Sequence, residues 1–275
     1  MKRLNVSTIV VALVALLLVS PVAADEQDKR DRHLGRDAVG LVTLFATDCW
    51  TYVSQPVSLD AGGWGKIGVV ALGAVYFLAF DEDIDRSMQQ NKDGPLIRPI
   101  VDVGETFEVL GLMGKTNRYY AAGLVLGYAF RWEWIQRVST DILFSHFIGG
   151  MMRAAARPLI GRARPKEDKG AYEWHTDSLS MPSGHASTII QLAAVLSHHI
   201  DYWPATVMAY GIAGTVLVQR IEAREHWASD VWVGAWNGWA VAQSVMRNHD
   251  KRGYVVLPTV DPQTGAVGLY AEFSF

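Results

Sequence analysis

A bundle of α-helices followed by a short C-terminal β-hairpin is the fold that the sequence predicts, and three observations carry that expectation. Apolar residues recur at helical spacing in segments spread between residues 38 and 246. Turn-forming residues separate those segments at Gly62-Gly63, at Asp93-Gly94-Pro95 and across Arg162 to Pro182. Strand-like alternation appears only after the last of them, at Tyr254 to Leu257 and again at Val267, Leu269, Ala271, Phe273 and Phe275, with Asp261 to Gly265 as the turn between.

The N-terminus carries Lys2 and Arg3, an apolar run from Ser7 to Val19, and then Pro21-Val22-Ala23-Ala24. That is the pattern of an export signal, so residues 1–24 are expected to be removed by cleavage between Ala24 and Asp25. An uncleaved anchor is the alternative, and the shortness of the run weighs against it. Residues 25–36 are charged and poor in apolar side chains, as in a flexible leader. Residues 37–250 then form one helical domain and residues 251–275 the tail. The domain is expected in the periplasm or on the periplasmic side of the cell membrane.

The helical segments are Ala38 to Trp50, Ile67 to Phe80, Tyr119 to Phe130, Trp134 to Ala156, Ala186 to Ile200, Pro204 to Gln219 and Val231 to Met246. Half of the chain is hydrophobic and 19% is charged, values that suit a soluble bundle and a shallowly embedded membrane bundle alike. Ser178 to Ile200 and Tyr202 to Gln219 are the clearest candidate spans, near or below the roughly 20 residues a bilayer core requires. The His198-His199-Ile200-Asp201 turn between them has no Lys or Arg, whereas Arg247, Lys251 and Arg252 would suit a cytoplasmic end, so the charges leave both readings open. A net charge of −3 supplies no general field for nucleic acid, which is excluded as a partner. The single cysteine, Cys49, has no intramolecular partner and reads as a small apolar residue.

Three short words concentrate the chemistry. The first runs from Arg157 through Arg162 to Arg164-Pro165; guanidinium forks match phosphate oxygens and stay charged, although a solvated basic loop would look the same. In the second, Pro182-Ser183-Gly184-His185, Ser183 stands as an N-cap before an apolar run, and a helix start offers free N–H groups and a positive dipole end to an anion. The third runs from Arg220 to His226 and Asp230, whose four-residue separation puts imidazole and carboxylate on one face if the stretch is helical. A carboxylate on one imidazole nitrogen would leave the other free to attack; a pair that only steadies the helix would have the same spacing. Phosphoryl transfer uses all three words together.

The ordered trio resembles the type 2 phosphatidic acid phosphatase superfamily, whose pattern is Lys-x6-Arg-Pro, Pro-Ser-Gly-His and Ser-Arg-x5-His-x3-Asp. The spacing is kept over about Val138 to Met246, with Arg157 in place of the family lysine and Gln219 in place of the serine. The resemblance implies an all-α bundle and a phosphatase needing no metal or other cofactor. Its substrate would be a phosphate monoester or pyrophosphate of the lipid-linked kind, with the protein in association with a membrane. It also implies that His226 attacks phosphorus, that Asp230 orients it, and that His185 protonates the leaving oxygen and later activates water. Arg157, Arg164, Ser183, Gly184 and Arg220 would hold the phosphate. A vanadate-dependent haloperoxidase and a non-catalytic phosphate-binding envelope protein are the alternatives on the same residues.

Two further features are weaker. Asp81, Asp83 and Asp85 fail as a calcium loop, because Arg86 and Lys92 stand where Gly and Glu are needed, and the run is expected to be a solvated loop or helix end. Trp203, Trp227, Trp232, Trp236 and Trp239 crowd the third word, as a lipid-facing rim or as core.

Overall fold

The structure, a computed structural model, describes residues 43, 45–55, 59–130 and 132–252, and the backbone of 255–260 and 267–272. The expected export signal, the leader and the first part of the Ala38 to Trp50 segment lie outside the described residues. Residues 45–54 are helical, and Cys49 packs half-buried against Ile148, Val241 and Val245.

Helix α1 (Ala61–Asn91) begins where Asp60 Oδ1 accepts a hydrogen bond from the Gly63 amide at 2.7 Å. That cap draws Gly62 and Gly63 into the first turn, where a loop was expected, because it satisfies an end amide that would otherwise be left open. The helix also runs through the acidic stretch. Asp83 is solvent-facing beside Arg86, but Asp81 is buried at 1% exposure, so the expectation of a wholly solvated run is corrected.

Helix α2 (Ile97–Phe107) follows the Asp93-Gly94-Pro95 turn and was not anticipated, since Pro99 and few apolar residues hide its period. It crosses a later helix, at Thr215, so closely that a Cβ at Gly104 would lie 2.4 Å from the Thr215 carbonyl oxygen. A 3-10 turn (Glu108–Gly111) then leads into α3 (Met113–Ala129) and α4 (Glu133–Ile160). Three further helices, α5 (Gly184–Ile200), α6 (Trp203–Glu222) and α7 (Ala228–Arg252), complete the bundle.

The core is made by α4, α5, α6 and α7, around Ile142, Ile189, Val195, Val216, Ala242 and Met246. Two glycines set the contact of α7 with α5. A Cβ at Gly234 would sit 2.5 Å from Ser183 O, and one at Gly238 2.3 Å from Ser187 O. The start of α7 is thereby held against the start of α5, and the Ser183 amide donates to Asp230 O at 3.0 Å.

Helix α5, within the candidate Ser178 to Ile200 span, is the buried centre of the bundle, and residues 178–183 are not helical. Among the described residues α1 alone is long and apolar enough to cross a membrane. Its Val69, Leu72, Val75 and Tyr76 are exposed, as are Trp203, Val207 and Met208 on α6. After α7, the strands β1 (Val255–Val260) and β2 (Val267–Glu272) pair antiparallel, Val255 opposite Glu272 and Val260 opposite Val267.

At the end of the bundle away from the three words, His249 bridges two buried carboxylates: Nδ1 meets Asp141, and Nε2 lies 2.9 Å from Asp48 Oδ2. Asp141 also meets His199 Nε2 at 2.7 Å. Burial alone would lower the His249 pKa, but the hydrogen bonds to Asp141 and Asp48 carry it up to about 9. A histidine raised above its unfolded value of about 6.5 adds stability that is complete below that pH and is lost as pH rises through the folded value. The melting temperature is therefore expected to fall between about pH 7 and pH 10, less steeply in His249→Gln. A flat profile in the native protein would remove His249 as the cause.

Candidate active site

The last turn of α4 presents Arg157 and is ended by Gly161 in the left-handed region, with φ of 53°. A Cβ there would fall 2.6 Å from Thr176 O, so glycine is required both by the dihedral and by the close return of the loop. That loop carries Arg162 and Arg164 back along the bundle to Pro182. Ser183 then caps α5, its Oγ accepting from the Ala186 amide at 3.4 Å, which places Gly184 and His185 in the first turn as expected. The third word bridges α6 and α7: Arg220 closes α6, and Asp230 lies in the first turn of α7.

These elements bring all eight expected residues to one end of the bundle. Arg157 donates from Nε to Pro182 O at 3.1 Å, and its Nη2 lies where a Cβ on Gly184 would come within 2.9 Å. The planar fork thus anchors on a carbonyl and still faces the helix start, a division that the point charge of a lysine could not make. The other departure is also accounted for, since Gln219 Oε1 accepts from Arg220 Nε at 2.8 Å and orients that guanidinium. Arg220 Nη1 pairs with Glu108 at 2.9 Å and lies 3.4 Å from His185 Nε2, while Arg164 pairs with Glu225.

Both histidines are held neutral. Burial, then Arg220 and the other arginines, pull His185 down to about 4. Burial, followed by Arg164 and Arg157, holds His226 well below the ordinary imidazole range. A neutral imidazole has a lone pair, which a nucleophile needs. Among the described residues the buried His226 Nδ1 has no hydrogen-bond partner.

The expected His226–Asp230 arrangement needs correction. His226 precedes α7, so the two residues do not share a helical face, and Nδ1 stands 4.0 Å from Asp230 Oδ2, beyond hydrogen-bond reach. The carboxylate is already engaged: Oδ1 accepts from Arg162 at 2.7 Å, and Oδ2 accepts from Ser180 Oγ at 2.6 Å and from the Trp227 amide at 3.0 Å.

Arg162 was not expected in this role. Fully buried, it also meets Asp81 Oδ2 at 2.7 Å, Ser229 Oγ at 2.6 Å and Ala171 O at 2.9 Å, between the rings of Trp174 and Trp227. Asp81 in turn accepts from the Ser229 amide at 2.9 Å, so α1 is tied to the start of α7 through this network. Glu108 is the other residue that sequence reasoning did not reach. Of the tryptophans, Trp227 is core and Trp203 is 75% exposed, while Trp232 packs against Phe77 of α1.

Arginines gathered around two neutral imidazoles at a helix start give the site its chemical character. Residues 138–254, less than half of the chain, match the model of the PAP2 superfamily. A curated relative, the lipid A 1-phosphatase of Porphyromonas gingivalis, is 32% identical over 107 residues, 38% of this chain. The matched part spans 22% of that relative's length. Two solved structures are also similar. The first transmembrane PAP2 type phosphatidylglycerolphosphate phosphatase from Bacillus subtilis has a TM-score of 0.49 and 19% identity, covering 66% of this chain and 95% of that one. Aquifex aeolicus LpxE has a TM-score of 0.46 and 21% identity, covering 61% and 95%.

Proposed function

We propose that the protein is a phosphoric ester hydrolase that removes phosphate from a lipid-linked monoester or pyrophosphate through a phosphohistidine on His226. The observation that carries this reading is the neutral, buried His226 among Arg157, Arg164 and Arg220 beside a helix start. Nδ1 is the nitrogen nearer Asp230, so Nε2 attacks phosphorus and the ester oxygen leaves with its electron pair. His185, neutral before substrate binds, takes up a proton as the phosphate dianion settles beside it and gives that proton to the leaving oxygen. It then takes one from water, which attacks the phosphohistidine and releases inorganic phosphate. Arg157, Arg164, Arg220, Ser183 and the Gly184 amide hold the oxygens, so stabilisation comes from fixed donors and no metal enters the scheme. Asp230 acts on His226 across the 4.0 Å separation, closing on it when phosphate binds.

A lipid-linked substrate is supported by the exposed apolar faces of α1 and α6 and by the lipid A 1-phosphatase relative. In this reading residues 1–24 direct export, residues 37–250 are the phosphatase domain on the periplasmic side, and the C-terminal hairpin is accessory. His185→Ala is the test. It is expected to slow turnover by roughly 10²- to 10⁴-fold on an alkyl phosphate and much less on a nitrophenyl phosphate, whose leaving group needs no proton. Equal defects on both substrates would remove His185 as the acid.

A further inference from the structure

One turn before Arg157, on the same face of α4, lies Arg153, which is only 5% exposed. Its Nη1 donates to Ser187 Oγ at 2.8 Å and its Nη2 contacts Met113 Sδ at 3.1 Å. Neither partner is charged, the thioether is a weak acceptor, and no carboxylate among the described residues pairs with it. Room has nevertheless been made for this guanidinium. A Cβ at Gly149 would meet Gln191 Nε2 at 2.2 Å and this guanidinium's Nη1 at 3.3 Å, and one at Gly150 would meet Met113 at 3.2 Å and Nη2 at 3.8 Å. A cation buried without a counter-ion is costly, and arginine does not escape by losing its proton.

The location gives the charge a use. A Cβ at Gly184 would lie 3.7 Å from Arg153 Nε as well as 2.9 Å from Arg157 Nη2, so both guanidiniums converge on the first turn of α5. The acids nearby are already engaged, Glu225 by Arg164 and Lys166, and Glu108 by Arg220. Asp230, whose charge reaches Arg157, is itself paired with Arg162, so among the described residues neither Arg153 nor Arg157 has a carboxylate in ion-pair range, and both lie beside the amides of a helix N-terminus.

We infer that Arg153 is a further positioning residue of the phosphate site, supplying from behind Arg157 and Gly184 an additional positive charge, unpaired by any carboxylate among the described residues, that a bound phosphate dianion balances. The inference rests on the phosphatase reading and adds a residue that the three words do not contain. A phosphate seated at Gly184 meets Arg157 directly and Arg153 through its field, so the loss of Arg153 weakens binding more than it slows the bond-breaking step.

Three measurements on the full chain in detergent test this: binding of inorganic phosphate, KM against kcat for a phosphate monoester, and melting temperature without ligand. Arg153→Met is expected to weaken phosphate binding and raise KM by about tenfold or more, with a smaller change in kcat. Its ligand-free melting temperature should stay level or rise, because an unbalanced buried charge is gone. Arg153→Lys keeps the charge but not the hydrogen-bond geometry, and should retain most of the affinity; a structural role predicts that it fails as the Met variant does. If the Met variant does not fold, the Lys variant decides alone, weak binding in it overturning the inference. Unchanged phosphate binding in a folded Met variant also overturns it, with the hydrolase reading intact. A native protein that neither binds nor releases phosphate overturns both.

Discussion

Replacement of His226 by alanine is expected to abolish phosphate release while leaving inorganic phosphate bound within about tenfold of the native affinity. The two effects separate because the side chain has two neighbourhoods. In the proposed mechanism its imidazole is the nucleophile, and among the described residues the other imidazole at the start of α5 is His185, which faces Arg220 and Glu108. The oxygen-holding groups, Arg157, Arg164, Arg220 and the α5 amides, do not depend on it. Removing His226 also relieves a buried, unpartnered Nδ1, so the fold should tolerate the change. Activity of His226→Ala within about a hundredfold of the native rate would place the attack elsewhere.

The largest stability effect is expected at Arg162. In Arg162→Met the volume is roughly kept, but Asp81 and Asp230 remain as two carboxylates at 0% side-chain exposure without the cation that lies 2.7 Å from each. Breaking a buried ion pair from one side typically costs about 3 to 5 kcal/mol, and here one arginine serves both acids. Denaturant unfolding should show a loss of that order, accompanied by a fall in activity, because Asp230 loses the bond that fixes it beside His226. A loss under about 1 kcal/mol, the scale of exposed pairs, would show that the network is solvated in solution. Asp81→Asn should cost less, since Ser229 and Arg162 still find an acceptor in the amide oxygen.

Much of this site could be read before the fold was known, and the parts that could not share a physical cause. Helices α3 to α7 announce themselves by apolar period, and Ser183 by its position before an apolar run, because both signals are local. Asp81 looks like one of several charges on a polar helix end; its burial depends on Arg162, 81 positions further along, and no local pattern encodes that pairing. The same holds for Glu108, which reaches Arg220 from a 3-10 turn that the sequence does not mark. The His226–Asp230 spacing left its condition, a helical stretch, undecided for the opposite reason. Four residues suggest a helical neighbour, but α7 begins at Ala228, so the imidazole precedes the helix while the carboxylate sits in it. Arg153 lay in plain view four positions before Arg157, yet only its burial without an acid distinguishes it from an ordinary helix-surface arginine.

The most direct test of the account is to trap the covalent intermediate. Labelled phosphate monoester is mixed with the native protein, the reaction is quenched at alkaline pH within the first turnover, and the labelled peptide is identified. Phosphorus bonded to nitrogen on the peptide containing His226, formed and lost at rates compatible with turnover, is the expected result. Label on another side chain, or rapid turnover with no label on the protein at any time, would contradict a phosphohistidine at His226.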